Sequence, residues 1–152
     1  MQPRLMDIRA LTAEERPAWE PLWQGYLAFY KASVPEETTA LTWARFHDPA
    51  EPMSAYGAFI DGRLAGIVHL ILHRSTWTSG PYCYLQDLFT AEWARRQGVA
   101  RGLIEWSYQE ATRWGASRVY WLTHETNVEA QAVYDQVAAR SGFIQYRKML
   151  PA

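Results

Sequence analysis

The chain has 152 residues, 15 basic against 16 acidic side chains, 49% hydrophobic residues and one cysteine. That length suits a single domain spanning 1–152 whose core needs no covalent staples, and the composition excludes wholesale disorder. A formal charge of −1 argues against a nucleic-acid partner, because neutralising phosphates requires a basic excess.

Met6–Ala10 reads as a short strand. Thr12, followed three residues later by Glu15, forms a capping box for a helix running toward Tyr30. Pro17 and Pro21 complicate its start, so one turn is expected before Pro17, where the main helix restarts. A second, shorter helix is expected around Thr42–Phe46, before the loop DPAEPMS. From Ser54 the period changes to that of strands. Tyr56–Ile60 and Leu64–His73 flank Asp61-Gly62, the strongest short hairpin signal in the chain. Tyr82–Phe89 is the next strand, entered through the turn-like stretch TWTSGP.

Then Leu103, Ile104, Ser107, Ala111 and Trp114 recur at helical spacing, with Gly115 placed as a C-terminal stop. Val119–Thr123 reads as a strand, Val128–Ser141 as a helix and Phe143–Met149 as a final strand. The order β-α-α-β-β-β-α-β-α-β makes this an α/β chain with a mixed sheet. The crossover helix requires the Tyr82–Phe89 and Val119–Thr123 strands to run parallel.

Eight tryptophans and nine tyrosines are the compositional oddity. Indole and phenol groups need hydrogen-bond partners when buried, so they collect in bulky cores, at interfaces and on pocket walls. Two readings stand: a core plus a dimer surface, or a substrate cleft lined by Tyr26, Tyr30 and Trp77. Cys83 has no partner for an internal disulfide and reads as a small buried apolar residue within YCYLQDL. His47, His69, His73 and His124 show no metal-ligand spacing with it, so no metal is expected. The opening stretch MQPRLMDIRALTAEERP lacks an apolar core of signal-peptide length, and no run approaches ~18 apolar residues. A cytoplasmic location without a membrane partner is the expectation.

Between a strand and a helix stands Arg95-Arg96-Gln97-Gly98-Val99-Ala100. Gly98 permits close backbone approach, and small Ala100 keeps the first helical turn open. Unpaired N–H groups at that helix start, with Arg95, Arg96 and Arg101 alongside, suit a pyrophosphate. The spacing matches neither a Walker loop nor the GxGxxG fingerprint.

With its neighbours, this turn resembles the GNAT superfamily of acyl-CoA-dependent N-acetyltransferases. The family's R/Q-x-x-G-x-G/A motif is matched by Arg95-x-x-Gly98-x-Ala100 after LQDLFT. Its asparagine, alanine and tyrosine are matched by Asn127, Ala130 and Tyr134, with Gly142-Phe143 following. The resemblance spans about Ser54–Met149 and is nearest in flavour to spermidine/spermine N-acetyltransferase-like members. It implies the acyl-CoA N-acyltransferase fold with splayed central parallel strands, and acetyl-CoA as donor. Pantetheine would pair with backbone near Leu88, Phe89 and Thr90. The phosphates would sit on Arg95, Arg96, Gln97, Gly98, Val99, Ala100 and Arg101, with Asn127 orienting the cofactor arm or capping its helix. The N–H of Leu88 or Phe89 would polarise the thioester carbonyl.

The resemblance also implies direct transfer to a small-molecule amine, with Tyr134 protonating the leaving sulfur. Similar sequences often carry Glu-Asp where this chain has Gln86-Asp87, so one expected base is missing and Asp87 remains. Alternation puts Gln86 and Asp87 on opposite faces unless a bulge intervenes. Glu125 and His124 are alternatives acting through water, and Gln86 and Glu125 join Tyr26, Tyr30 and Trp77 as candidate substrate contacts. Two rival readings are a non-catalytic acyl-CoA sensor and a transferase acting on protein or RNA-linked amines. Homodimers are common among similar proteins.

Overall fold

At Asp61-Gly62 both residues take positive φ, 51° and 82°, the pair of left-handed conformations that a two-residue hairpin turn requires. The structure, a computed structural model, describes residues 5–152. It comprises two compact units, one ending at Leu122 and the other formed by Thr123–Ala152.

The first unit carries a five-stranded sheet in sequential order. Its strands are β1 (Met6–Ala10), β2 (Met53–Ile60), β3 (Arg63–His73), β4 (Tyr82–Thr90) and β5 (Val119–Tyr120). The first four pair antiparallel and β5 joins β4 in parallel, as a crossover helix demands. Helices α1 (Arg16–Phe29) and α2 (Glu36–Phe46) pack on one face of the sheet, and α3 (Val99–Arg113) packs on the other.

The start of α1 follows from three residues. Thr12 and Glu15 form the capping box, a single 3-10 turn covers Ala13–Glu15, and Pro17 then sits in the first turn of α1. Glu15 accepts hydrogen bonds from the Thr12 N–H at 2.8 Å and from both terminal nitrogens of Arg9 at 2.7 and 2.8 Å. These donors hold its carboxyl down at about 2, with the Arg9 hydrogen bond the largest cause.

Between α1, α2 and the sheet lies an aromatic core. Trp19 is fully buried, with ring centroids 5.8 Å from Trp23 and 4.7 Å from Trp43. Each indole N–H has an acceptor: Trp23 donates to Thr39 Oγ1 and Trp43 to the Ala13 carbonyl, both at 3.2 Å, and Trp19 to His69. For these three tryptophans the core reading of the composition holds. On the opposite face, Val99 and Leu103 of α3 press against Gly66 of β3. An added Cβ there would stand 2.5 Å from Val99 Cγ1.

Some boundaries differ from the sequence reading. The second helix begins at Glu36 rather than Thr42, because Pro35 provides its start and Glu36 and Glu37 favour its positive end. Strand β5 stops at Tyr120 instead of Thr123.

In the second unit, α4 covers Val128–Val137 rather than reaching Ser141, and the Asn127 side chain caps it by accepting from the Ala130 N–H at 3.4 Å. The strand expected over Phe143–Met149 is not formed. That segment is irregular and exposed, since alternating apolar residues make a strand only when a second strand completes the ladder.

Two outcomes test this packing. Gly66→Ala destabilises by about 1–3 kcal/mol through overpacking against buried Val99, read from the urea midpoint. Glu15→Gln costs about 1 kcal/mol at pH 7. Because the folded carboxyl titrates at about 2, below its ordinary 4.5, the wild-type advantage is complete above the unfolded value. It is lost as pH falls through the folded one, so in urea melts the gap between the two proteins narrows steadily from about pH 4.5 down to about pH 2.

Candidate active site

The register of β4 against β3 jumps once. Leu70 pairs with Leu85, and the preceding residue, His69, pairs with Asp87, leaving Gln86 without a partner. Cross-strand partners share a face of the sheet and successive residues alternate. The extra residue is a β-bulge that turns Asp87 toward α1 and α2, the side His69 faces. Gln86 is exposed and Asp87 is buried; the bulge, the exception to strict alternation, decides which of the two goes inside.

Three buried groups then form a line. The Trp19 indole N–H donates to His69 Nε2 at 2.9 Å, and His69 Nδ1 stands 2.8 Å from Asp87 Oδ2. An indole nitrogen can only donate, so His69 Nε2 must carry the lone pair. His69 is therefore neutral, with its proton on Nδ1 and donated to Asp87. Tyr26 lies beside Asp87, and burial together with that carboxylate's charge pushes its phenol well above the ordinary value. Tyr30 is shifted upward for the same two reasons.

Aromatic rings surround this line. Phe46 and Trp23 lie 4.6 and 5.5 Å from the His69 ring, and Tyr26 lies 5.0 Å from Tyr30 and 6.4 Å from Phe89. Gly25 permits the approach of α1, since an added Cβ would stand 3.0 Å from the Phe89 ring.

Beyond the bulge, Leu88, Phe89 and Thr90 pair with β3 on one side. On the other, the parallel pairing with β5 comprises only Cys83↔Val119 and Tyr84↔Tyr120. The backbone of β4 from Leu85 onward thus has no partner in β5.

The chain leaves β4 through a 3-10 turn at Glu92–Ala94 and enters α3 with Arg96 at φ 63° and Gly98 at φ 81°. The left-handed Gly98 is the N-cap and contributes no side chain. Its carbonyl accepts from the Gly102 N–H at 2.9 Å, so the amides of Val99 and Ala100 lie ahead of the first helical bond, where donors lack intrahelical acceptors. Arg95 and Arg96 are exposed and have no ion-pair partner among the described residues. Arg101 pairs with Glu105 at 3.1 Å, and the Gln97 side chain donates to the Trp93 carbonyl at 3.2 Å. Free amides, a side-chain-free cap and cationic flanks fit a phosphate-bearing ligand.

Asp87, Tyr26 and Tyr30 thus come together in one cluster, and Leu88, Phe89 and Thr90 continue into the Arg95–Arg101 turn. Trp77 does not join them: it lies in the 74–81 loop, 85% exposed. Asn127, Tyr134, Glu125 and His124 belong to the second unit. There Asn127 caps α4, Tyr134 is partly exposed in the last turns of that helix, and the Glu125 carbonyl accepts from the Gln131 side chain at 3.0 Å. Cys83 is buried, and burial pushes its thiol up to about 11, which removes it as a nucleophile at neutral pH.

Sequence reasoning missed Trp19 and His69. Only the β3–β4 register, bulge included, sets His69 beside Asp87, and no spacing in the chain carries that information.

A model of the Acetyltransferase (GNAT) family matches residues 16–138. The chain is 34% identical over 143 residues to the D-amino-acid N-acetyltransferase HPA3 of Saccharomyces cerevisiae, covering 93% of this chain and 89% of that protein. It is also 35% identical over 80 residues to the thialysine N-epsilon-acetyltransferase of Caenorhabditis elegans, covering 53% of this chain and 49% of the relative. A solved aminoglycoside N-acetyltransferase, AAC(6')-Iy in complex with CoA, shares the fold with a TM-score of 0.81 at 21% identity, over 98% of each chain.

Replacing Arg95 and Arg96 together with glutamine weakens coenzyme A binding roughly 3- to 10-fold at low salt, with the gap narrowing as salt rises. Calorimetric titration measures both effects, and equal affinities across the salt series count against the turn as the phosphate site.

Proposed function

The chain belongs to the GNAT acetyltransferase family, and on that footing we propose that it transfers the acetyl group of acetyl-CoA to the primary amine of a small molecule, directly, within a ternary complex. The observation that carries this reading is a charge left over at the site. Asp87 is buried, its partners His69 and Tyr26 are both neutral, and no lysine or arginine pairs with it among the described residues. A buried carboxylate without a counter-charge is costly, and an alkylammonium supplies the missing charge. The surrounding Trp23, Tyr26, Tyr30 and Phe89 rings suit the same cation through their negative faces.

Acetyl-CoA supplies the electrophilic thioester. The Arg95–Arg101 turn holds its phosphates, and Leu88–Thr90 offers backbone to its arm, with the N–H of Leu88 or Phe89 polarising the carbonyl. Since Asp87 directly precedes Leu88 in β4, the acceptor and the acyl carbon meet on adjacent residues of one strand.

An alkylamine with the pKa of lysine, ~10.4, is only about 0.04% neutral at pH 7, equivalent to ~4.6 kcal/mol. Asp87 binds the ammonium and takes its proton, directly or through an ordered water, an effect of about 10²–10⁴-fold. Tyr134 protonates the departing sulfur and Asn127 caps the helix that bears it. The role of Tyr134 rests on its match to the family motif.

The narrower acceptor we propose is a linear alkylammonium of the polyamine kind, supported by the carboxylate and aromatic rings. The names of the relatives put D-amino acids and thialysine beside it as compounds to compare. Copies of the chain associate as homodimers in this reading, supported by exposed Phe143, Ile144, Tyr146, Met149 and Leu150, and light scattering of the purified protein tests it.

Purified protein mixed with acetyl-CoA and a panel of polyamines, D-amino acids and thialysine releases free thiol with at least one of them. Asp87→Asn lowers kcat by about 10²-fold or more, while Tyr134→Phe lowers kcat about tenfold or more and leaves acetyl-CoA affinity nearly intact. Tight coenzyme A binding with no turnover on any amine would identify a sensor instead of an enzyme.

A further inference from the structure

We infer that His69 is a positioning residue for the transfer, locked by Trp19 into the one tautomer that can hold Asp87 toward the acceptor amine; this rests on Asp87 being the group that meets the amine.

The argument begins with the number of conformations open to a carboxylate. Asp87 has two side-chain torsions, and its oxygens could turn toward any donor in reach. His69 removes that freedom, because its Nδ1–H, 2.8 Å from Oδ2, engages one oxygen. The lone pairs left over are those available to a ligand.

His69 can do this only if its proton stays on Nδ1, and an isolated imidazole has no strong preference between its nitrogens. The Trp19 indole N–H, 2.9 Å from Nε2, imposes one. The other neutral tautomer would set two N–H groups against each other at Nε2 and two lone-pair acceptors against each other at Nδ1. Both mismatches would lie in a site where Trp19 and His69 are almost fully buried and no water competes.

Packing alone does not call for this chain of groups. The ring of His69 sits among Trp19, Trp23 and Phe46, where an aliphatic side chain of similar volume would pack as well. A buried polar line of this kind adds little net stability over such a core. What it adds is a carboxylate of fixed orientation, which is what a proton acceptor within hydrogen-bond reach of an amine requires. Trp19 thereby links the aromatic core of α1 and α2 to the reacting end of β4.

The test uses replacements that move the donor by known amounts. His69→Leu removes it, and kcat falls about 10- to 100-fold with KM for acetyl-CoA kept within about twofold. In His69→Asn the amide nitrogen stands where Nδ1 stood and recovers most of the turnover. In His69→Gln the donor lies at the place of Nε2, against the Trp19 N–H, and turnover stays low. This ordering, asparagine above glutamine, is one that a merely structural role would not produce.

A second readout needs no turnover. Long-range ¹H–¹⁵N spectra, with His69 assigned by its loss in His69→Asn, show Nδ1 protonated and Nε2 bare in the wild type, and a mixture of tautomers in Trp19→Phe. A His69→Leu protein that turns over within about twofold of wild type while Asp87→Asn is inactive overturns the inference alone. So does a wild-type spectrum with the proton on Nε2, should His69→Leu fail to fold. A wild type inactive toward every amine, or an Asp87→Asn variant that keeps full turnover, instead overturns the functional reading beneath it.

Discussion

One unpaired residue in β4 decides which way Asp87 faces. Were Gln86 to pair in ordinary alternation after Leu85, it would face α1 and Asp87 would face α3, where Val99, Leu103 and Ile104 are buried. An aspartate there would be an uncompensated charge, at a cost of several kcal/mol. The bulge reverses the assignment and delivers Asp87 to His69 and Tyr26, which can bond it. The same irregularity bends and twists the strand, and past it β4 and β5 no longer pair. A single extra residue therefore produces the polar cluster, and β4 continues past the end of two-residue β5 beside it.

The aromatic core is the counterpart of that bulge. Trp19, Trp23 and Trp43 fill the space between two helices and the sheet, and each satisfies its indole N–H on a nearby group. In two of the three that partner is structural, a threonine hydroxyl or a backbone carbonyl. In the third it is His69, whose other nitrogen meets Asp87. Stability and site are thus joined through one ring. Capping and close approach complete the frame: Glu15 anchors the start of α1 through Thr12 and Arg9, and Gly25 lets α1 settle on Phe89.

Sheet and helix together shape the turn that precedes α3. A left-handed Gly98 without a side chain leaves the first-turn amides of α3 uncovered, and buried Val99 and Leu103 fix the helix against Gly66. The turn that carries the arginines is thus followed by buried Val99 at its C-terminal side, while Arg95 and Arg96 are exposed. Such a geometry presents donors to a phosphate without rearranging the core.

Local chemistry was legible in the chain from the start. The Thr12–Glu15 box, the Asp61-Gly62 turn, the Gly115 stop and the Arg95–Ala100 motif all act within a few residues, so spacing alone reveals them. The same locality explains the errors: the second helix begins six residues earlier than Thr42 because buried Thr39 and Trp43 stabilise its first turns, and Phe143–Met149 has a strand's pattern without a strand's neighbour. Asp87 could be named as a candidate, but not its surroundings. His69, Trp19 and Tyr26 reach it from β3 and α1, and the sequence separations of 50 and 18 residues in that hydrogen-bonded line carry no periodic signature. The primary structure determined most of the elements, the Arg95–Ala100 turn and the family. Tertiary structure decided which face Asp87 occupies and the protonation of the imidazole that holds it, because both depend on a cross-strand register and a buried donor that exist only after the sheet and α1 have packed.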